Sequence, residues 1–228
     1  MAAFAQTFQQ YPDFSPVPEL PPLQLAAFDS LAGTDLTEAR KLLTCRTRSQ
    51  CRSIFCPSCA QKAGYQHKHR IFEAASTLKP ARLKFGTFPG RDVPLDALRE
   101  AGQVLMQSAR TLCKRLTGGS VIRLEVSDPM TADFHAHVHA LLDTPAGGKD
   151  FISADTWEAE WRSELPQWLH PVQTGAHVKP VRDLNASSCY LSKSAFTSAK
   201  CAEAIRHAVN SIRALKGIPK FSYHGTLN

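Results

Sequence analysis

Three histidines alternate along Phe134-His135-Ala136-His137-Val138-His139-Ala140-Leu141-Leu142. On a β-strand, residues i, i+2 and i+4 share a face, so the imidazoles of His135, His137 and His139 line up at about 6 to 7 Å per step. The opposite face offers Ala136, Val138 and Ala140, small and apolar, to a core. With slight twist, neighbouring imidazoles can close on one metal ion. Imidazole combined with carboxylate and water suits Mn2+, Mg2+ or Zn2+. Glu125, on the strand expected to pair with this one, is the candidate oxygen ligand, and Asp133 is a weaker one. A metal with an open coordination position polarises phosphoryl or carbonyl oxygen. The reaction then needs a nucleophile, either bound water or a side chain elsewhere.

Of the four tyrosines, Tyr190 sits in Cys189-Tyr190-Leu191-Ser192-Lys193, on an expected helix. Lys193, three residues on, shares its helical face and brings a cation to the phenol or to a phosphate. A tyrosine that attacks a phosphodiester leaves a covalent protein–DNA intermediate.

A second chemical cluster precedes these. Cys45, Cys51, Cys56 and Cys59 fall close together, the last two as Cys56-Pro57-Ser58-Cys59. Two thiolates separated by two residues chelate one tetrahedral ion from a tight turn, and a second pair closes the site. A closed four-Cys Zn2+ site is structural; it holds together a charged module too small to bury enough core alone. His67 and His69 are alternatives for one of the four ligands. Cys113, Cys189 and Cys201 are expected in helices, buried or inert.

The elements that must position these groups follow from periodicity. An Asp35-Leu-Thr-Glu start predicts a short helix to about Leu43, and Gly64 to Leu78 reads as a basic helix. Ala81 to Phe88 is β-like. Leu95, Leu98, Leu105, Leu112 and Leu116 mark one face of a helix over Val93 to Leu116. Ser120 to Val126 and Phe134 to Leu142 alternate as two strands of a hairpin. Ser153 to Leu165 reads as a helix capped by Ser153, Ala176 to Val181 as a strand, and Leu184 to Ser194 and Ser198 to Leu215 as helices. Phe221 to His224 is a short final strand. From residue 81 the order β-α-β-β-α-β-α predicts an α+β fold, an antiparallel sheet covered on one side by helices.

The chain has 228 residues, 43% hydrophobic and 21% charged, enough for a real core and too much for a disordered chain. No apolar run is long enough to cross a membrane, and the start lacks a signal-peptide pattern, so a cytoplasmic location is expected. The formal charge of +7 is unevenly spread. Residues 1–39 carry a net of −5, whereas residues 40–85 hold eleven Lys and Arg against Glu73 alone, a net of +10. Arg46, Arg48, Arg52, Lys62, Lys68 and Arg70 in this segment are candidate DNA-binding residues. Three regions result: residues 1–40, a flexible Pro-rich tail; residues 41–80, a four-Cys zinc-binding basic module; and residues 81–228, the domain that carries the histidines and Tyr190.

Taken together, the set resembles the rolling-circle plasmid replication initiators, members of the HUH endonuclease superfamily with a single catalytic tyrosine. Cys51 to Cys59 resembles the family's zinc-binding block. Leu83-Lys-Phe-Gly-Thr-Phe88 with Pro89 resembles motif one. Leu124-Glu-Val through His135-Ala-His-Val-His-Ala-Leu-Leu resembles motif two, and Val178-Lys-Pro-Val-Arg-Asp-Leu with Tyr190-Leu-Ser-Lys193 resembles motif three. The resemblance covers about residues 45–228.

It implies a five-stranded antiparallel, RRM-like sheet. It also implies His137 and His139 as paired ligands of Mg2+ or Mn2+, with His135 or Glu125 completing the site, and Tyr190 as the nucleophile. The tyrosine would cut one strand at a plasmid origin, keep the 5′-phosphate and leave a 3′-OH primer. Implied partners are single-stranded or hairpin origin DNA, host helicase and DNA polymerase, with a homodimer as one way to end the cycle. Several relatives carry a glutamate four residues before the tyrosine to activate water; here that position is Ala186, with Asp183 and Asn185 offset. Competing readings are a single-Tyr HUH transposase or relaxase, a non-catalytic zinc DNA-binding regulator, and a zinc hydrolase that leaves Tyr190 idle.

Overall fold

A computed structural model describes residues 22–45, 51–127, 133–144, 152–172, 175–194, 196 and 202–228. In chain order its main elements are α1 (Pro22–Ala32), α2 (Leu36–Thr44), α3 (Pro57–Ser76), β1 (Leu83–Pro89), α4 (Leu98–Leu116), β2 (Gly119–Ser127), β3 (His135–Asp143), α5 (Ala154–Glu164), β4 (His177–Pro180), α6 (Leu184–Ser192), α7 (Ala202–Ala214) and β5 (Phe221–Gly225). The chain divides into two compact units, residues 1–63 with 194–212, and residues 64–193 with 213–228.

The larger unit is built on a five-stranded sheet in the order β4-β1-β3-β2-β5. Every neighbouring pair is antiparallel. The hairpin register sets Glu125 opposite His137, Arg123 opposite His139 and Ser127 opposite His135. β1 sets Thr87 opposite His139. Directly opposed residues share a face, so this register assembles one polar surface. On the other face, Ala136, Val138, Ala140 and Leu142 of β3 join Ile122, Leu124 and Phe88 in the main core. Leu98, Ala101, Leu105, Ala109 and Leu112 of α4 pack there at helical spacing. Trp157 and Trp161 of α5 close the same core, and the Trp161 indole N–H donates to the Pro89 carbonyl at 2.8 Å. Ser153 caps α5 by accepting from the Thr156 amide.

Helices also reach the polar face. Ile71 and Ala75 of α3 and Leu191 of α6 pack with Leu83, Val121 and Leu141 over one end of the sheet, and the histidine end of the surface is left to chemistry. α4 starts at Leu98 rather than Val93, because Val93 exchanges two backbone hydrogen bonds with Phe134.

The smaller unit replaces the expected tail over residues 22–40. Pro22 opens α1, a position that wants no amide hydrogen-bond donor. Phe28, Leu31, Ala39 and Leu42 are buried together with Cys45, Phe55 and Cys56. Asp35 caps α2 by accepting from the Glu38 amide. Ile205, Val209 and Ile212 of α7, placed by sequence in the domain of residues 81–228, belong to this core instead. The prolines at 12, 16 and 18 lie outside the described residues.

Candidate functional site: two metal centres and a tyrosine

Among the described residues two clusters of ligating side chains meet the spacing of a metal site, Cys45/Cys51/Cys56/Cys59 and Glu125/His137/His139, each with its donor atoms within 4.8 Å of one another.

In the first, the chain leaves α2 at Cys45 and enters α3 at Pro57, so Cys45 comes off a helix end and Cys59 lies in the first turn of the next helix. The Sγ atoms of Cys45 and Cys59, and of Cys51 and Cys59, are 3.7 Å apart, and those of Cys45 and Cys56 3.5 Å apart. Zn–S bonds of about 2.3 Å at tetrahedral angles set sulfurs about 3.8 Å apart. These separations suit a metal and are far too long for a disulfide, of about 2.05 Å. Burial pushes the Cys51 thiol up to about 11 and raises Cys56 as well, whereas hydrogen bonds from the other cysteines draw Cys45 down against burial. Four clustered sulfurs cannot all ionise without a cation among them, a charge that a metal ion could supply.

His67 and His69, the alternative ligands, are engaged elsewhere. The His67 ring stacks on Phe221 at 4.1 Å and its Nδ1 lies 2.9 Å from the Tyr223 hydroxyl. His69 pairs with Glu73 at 3.0 Å.

The second cluster stands on the hairpin. His137 and His139 are buried, and their Nε2 atoms are 2.9 Å apart. Metal–nitrogen bonds of about 2.1 Å at right angles set donors about 3.0 Å apart. Glu125 Oε2 lies 3.3 Å from His139 Nε2 and is buried without a well-aligned hydrogen bond of its own. The far sides of both rings are held: His139 Nδ1 lies 3.1 Å from the Thr87 hydroxyl and His137 Nδ1 3.4 Å from the Ser127 hydroxyl. Burial, with His139 beside it, pushes His137 down to about 3, so its imidazole is neutral, as a ligand must be. Burial alone would raise the Glu125 carboxyl, but His139, Arg123 and Lys193 outweigh it and hold the group at about 2. Two converging imidazoles and a carboxylate with a spare buried oxygen form a donor set for a divalent cation.

His135 stands apart from this set. Its Nδ1 faces Asp92 Oδ1 at 2.5 Å, and its ring centroid is 5.1 Å from that of His137. Asp92, and not the point where the other two imidazoles converge, receives this ring.

Tyr190 lies in the last turn of α6 and is 42% exposed. Its ring meets His139 edge-on at 4.8 Å and Phe85 edge-on at 5.7 Å. Lys193, which ends the helix, lies over the ring with Nζ 4.0 Å from its centroid and 2.6 Å from Glu125 Oε1. Asp183 caps the start of α6 by accepting from the Ala186 amide, so Asp183 is occupied as a cap.

Arg123 is the residue that sequence reasoning overlooked. It is buried, donates to the Tyr190 carbonyl at 2.9 Å and lies 3.8 Å from Glu125. Its position two residues before Glu125 on an alternating strand was the available signal, because it puts a cation on the carboxylate's face. Thr87 and Ser127 escaped notice for want of a register.

Of the candidate DNA-binding residues, Arg52, Lys62 and Arg70 are exposed and Lys68 is half-buried, whereas Arg46 and Arg48 lie outside the described residues. Arg70 lies over the Tyr223 ring at 4.0 Å. Cys113 is buried, Cys189 is exposed, and Cys201 lies outside the described residues. Among the described residues no helix is long and apolar enough to cross a membrane.

Comparison with known proteins returned no matching family model, no matching curated protein and no matching solved structure.

Proposed function

We propose that this protein is a metal-dependent DNA-nicking and joining enzyme of the HUH type, acting as a rolling-circle replication initiator through a 5′-phosphotyrosine intermediate. The observation that carries the reading is the edge-on contact of Tyr190 with His139, which sets a half-exposed phenol beside the Glu125/His137/His139 donor set. A water-based hydrolase has no use for that tyrosine.

Glu125, His137 and His139 would hold Mg2+ or Mn2+, and the cysteine cluster Zn2+. The catalytic cation, when bound, neutralises charge on the scissile phosphate. Tyr190 supplies the nucleophile: its phenolic oxygen bonds to phosphorus as the P–O3′ bond breaks, the phenolic proton is lost, and the departing 3′ oxygen takes up a proton. Attack of a 3′-OH on the phosphotyrosine reverses the step and joins strands. Phosphoryl transfer needs positioning and charge more than covalent chemistry. Phe85 and His139 fix the ring, Arg123 holds the backbone behind it, and Lys193 ties the helix end to Glu125. Ala186 offers no second base for water, so the joining step falls to a 3′-OH or to a second subunit.

The test is incubation with labelled single-stranded oligonucleotides, tiled across the DNA that carries the gene, in Mn2+ or Mg2+. A slow-migrating protein–DNA band on a denaturing gel, absent in Tyr190→Phe, is expected. Specific binding without cutting by either protein would favour the zinc DNA-binding regulator. Cutting that survives in Tyr190→Phe would favour the hydrolase. A transposase or relaxase would require its own ends or transfer origin rather than a replication origin.

A further inference from the structure

We propose that the exposed face of α3 between Tyr65 and Phe72 is a base-stacking track for single-stranded DNA. Where the held strand leads rests on the reading of Tyr190 as nucleophile; the track itself does not.

Tyr65 is 69% exposed and Phe72 is 40% exposed. Seven residues apart on one helix, they stand on the same face, separated by a rise of about 10.5 Å. That is about three stacking steps of 3.4 Å. Between them Lys68 and His69 line a groove of about 170 Å³, whose far wall is Asn185 of α6. The two helices approach closely at Gly64, where a Cβ would collide with the Ser192 carbonyl. Lys68 Nζ stands 6.0 Å from the Tyr65 ring centroid, within reach of a phosphate beside a stacked base. His69 is engaged with Glu73 and Arg70 with the Tyr223 ring, so Lys68 supplies the cationic character.

Aromatic faces in water next to cations are the chemistry that takes single strands: bases stack, phosphates meet the cations, and sequence matters little. A duplex hides its base faces and gains nothing from this surface. Asn185 lies five residues before Tyr190 on the same helix, a rise of about 7.5 Å. Five residues also turn the helix by about 140°, so a strand leaving the groove past Asn185 must wrap round α6 to reach Tyr190.

The experiment is fluorescence anisotropy with the full chain carrying Tyr190→Phe, without added divalent cation, so that cleavage plays no part. The probes are a thymidine 12-mer, an abasic 12-mer, a uridine 12-mer and a 12-base-pair duplex. The added double substitution Tyr65→Ala/Phe72→Ala is expected to weaken thymidine 12-mer binding at least tenfold. Tyr65→Phe, which keeps the ring, is expected to stay within twofold. The abasic strand is expected to bind all variants alike and more weakly than the thymidine strand. Equal thymidine binding by the double variant, equal affinity for abasic and thymidine strands, or preference for the uridine strand or the duplex would each overturn the proposal. Ring-dependent binding in a protein whose wild type forms no tyrosine adduct would keep the track and discard the nuclease reading. An adduct with no effect of the ring substitutions would do the reverse.

Discussion

The Nε2 atoms of His137 and His139 face each other across 2.9 Å, each ring with its Nδ1 beside a hydroxyl, Ser127 and Thr87 respectively. With Nδ1–H donating to those hydroxyls, both Nε2 atoms present lone pairs to one point, which repel unless a cation lies there. Mn2+ at about a hundred times its dissociation constant is expected to stabilise the fold by about 2.7 kcal/mol. That raises the melting temperature by roughly 5 to 10 °C for a chain of this size. Differential scanning fluorimetry checks this, and His139→Ala and Glu125→Gln should each abolish the shift.

Arg123 joins Glu125 to the helix that carries Tyr190. Arg123→Met leaves the Tyr190 carbonyl without its side-chain donor and removes a cation from beside Glu125. A loss of about 1.5–3 kcal/mol is expected in urea unfolding. Adduct formation should fall with the chain still folded, because α6 loses an anchor while Tyr190 and the donor set remain.

If the cysteine cluster holds zinc, the smaller unit is expected to depend on it. Its core of Phe28, Leu31, Leu42 and Phe55 is small and includes Cys45 and Cys56 themselves. Cys56→Ser is expected to lower bound zinc, measured by elemental analysis, from about one equivalent per chain towards none, with loss of helical circular dichroism. Full zinc in the variant would contradict the assignment.

The charge of residues 40–85 is expected to act through phosphates, as an electrostatic clamp. Five phosphate contacts predict a slope of log K against log salt near −3.5 on single strands, from about −0.7 per contact. Binding measured at salt concentrations from 50 to 300 mM checks this, and insensitivity to salt would contradict it.

Local pattern carried the sheet well. Alternation marked β2 and β3, and the hairpin set Glu125, expected on the partner strand, opposite His137. Alternation encodes a face but not each ring's partner, so it could not say that His135 would turn to Asp92 while His137 and His139 converge. Residues 22–34 read as a tail because prolines dominate the start, whereas the helix after Asp35 was legible from its cap. The helices there are stabilised by Ile205, Val209 and Ile212, over 160 residues away in the chain, and a local window does not register such contacts. Arg123 is buried because Glu125 and the Tyr190 carbonyl receive its charge, partners that periodicity alone does not reveal.

The most direct test of the central claim is to find which residue carries the DNA. Wild-type protein would be reacted with the cleaved oligonucleotide in Mn2+, digested with nuclease and protease, and mapped by mass spectrometry. The account predicts a nucleotide phosphate on the peptide Cys189-Tyr190-Leu191-Ser192-Lys193, attached at Tyr190. A modified Tyr223, Tyr65 or Tyr11 with Tyr190 untouched, or cleaved DNA carrying no protein at all, would contradict it.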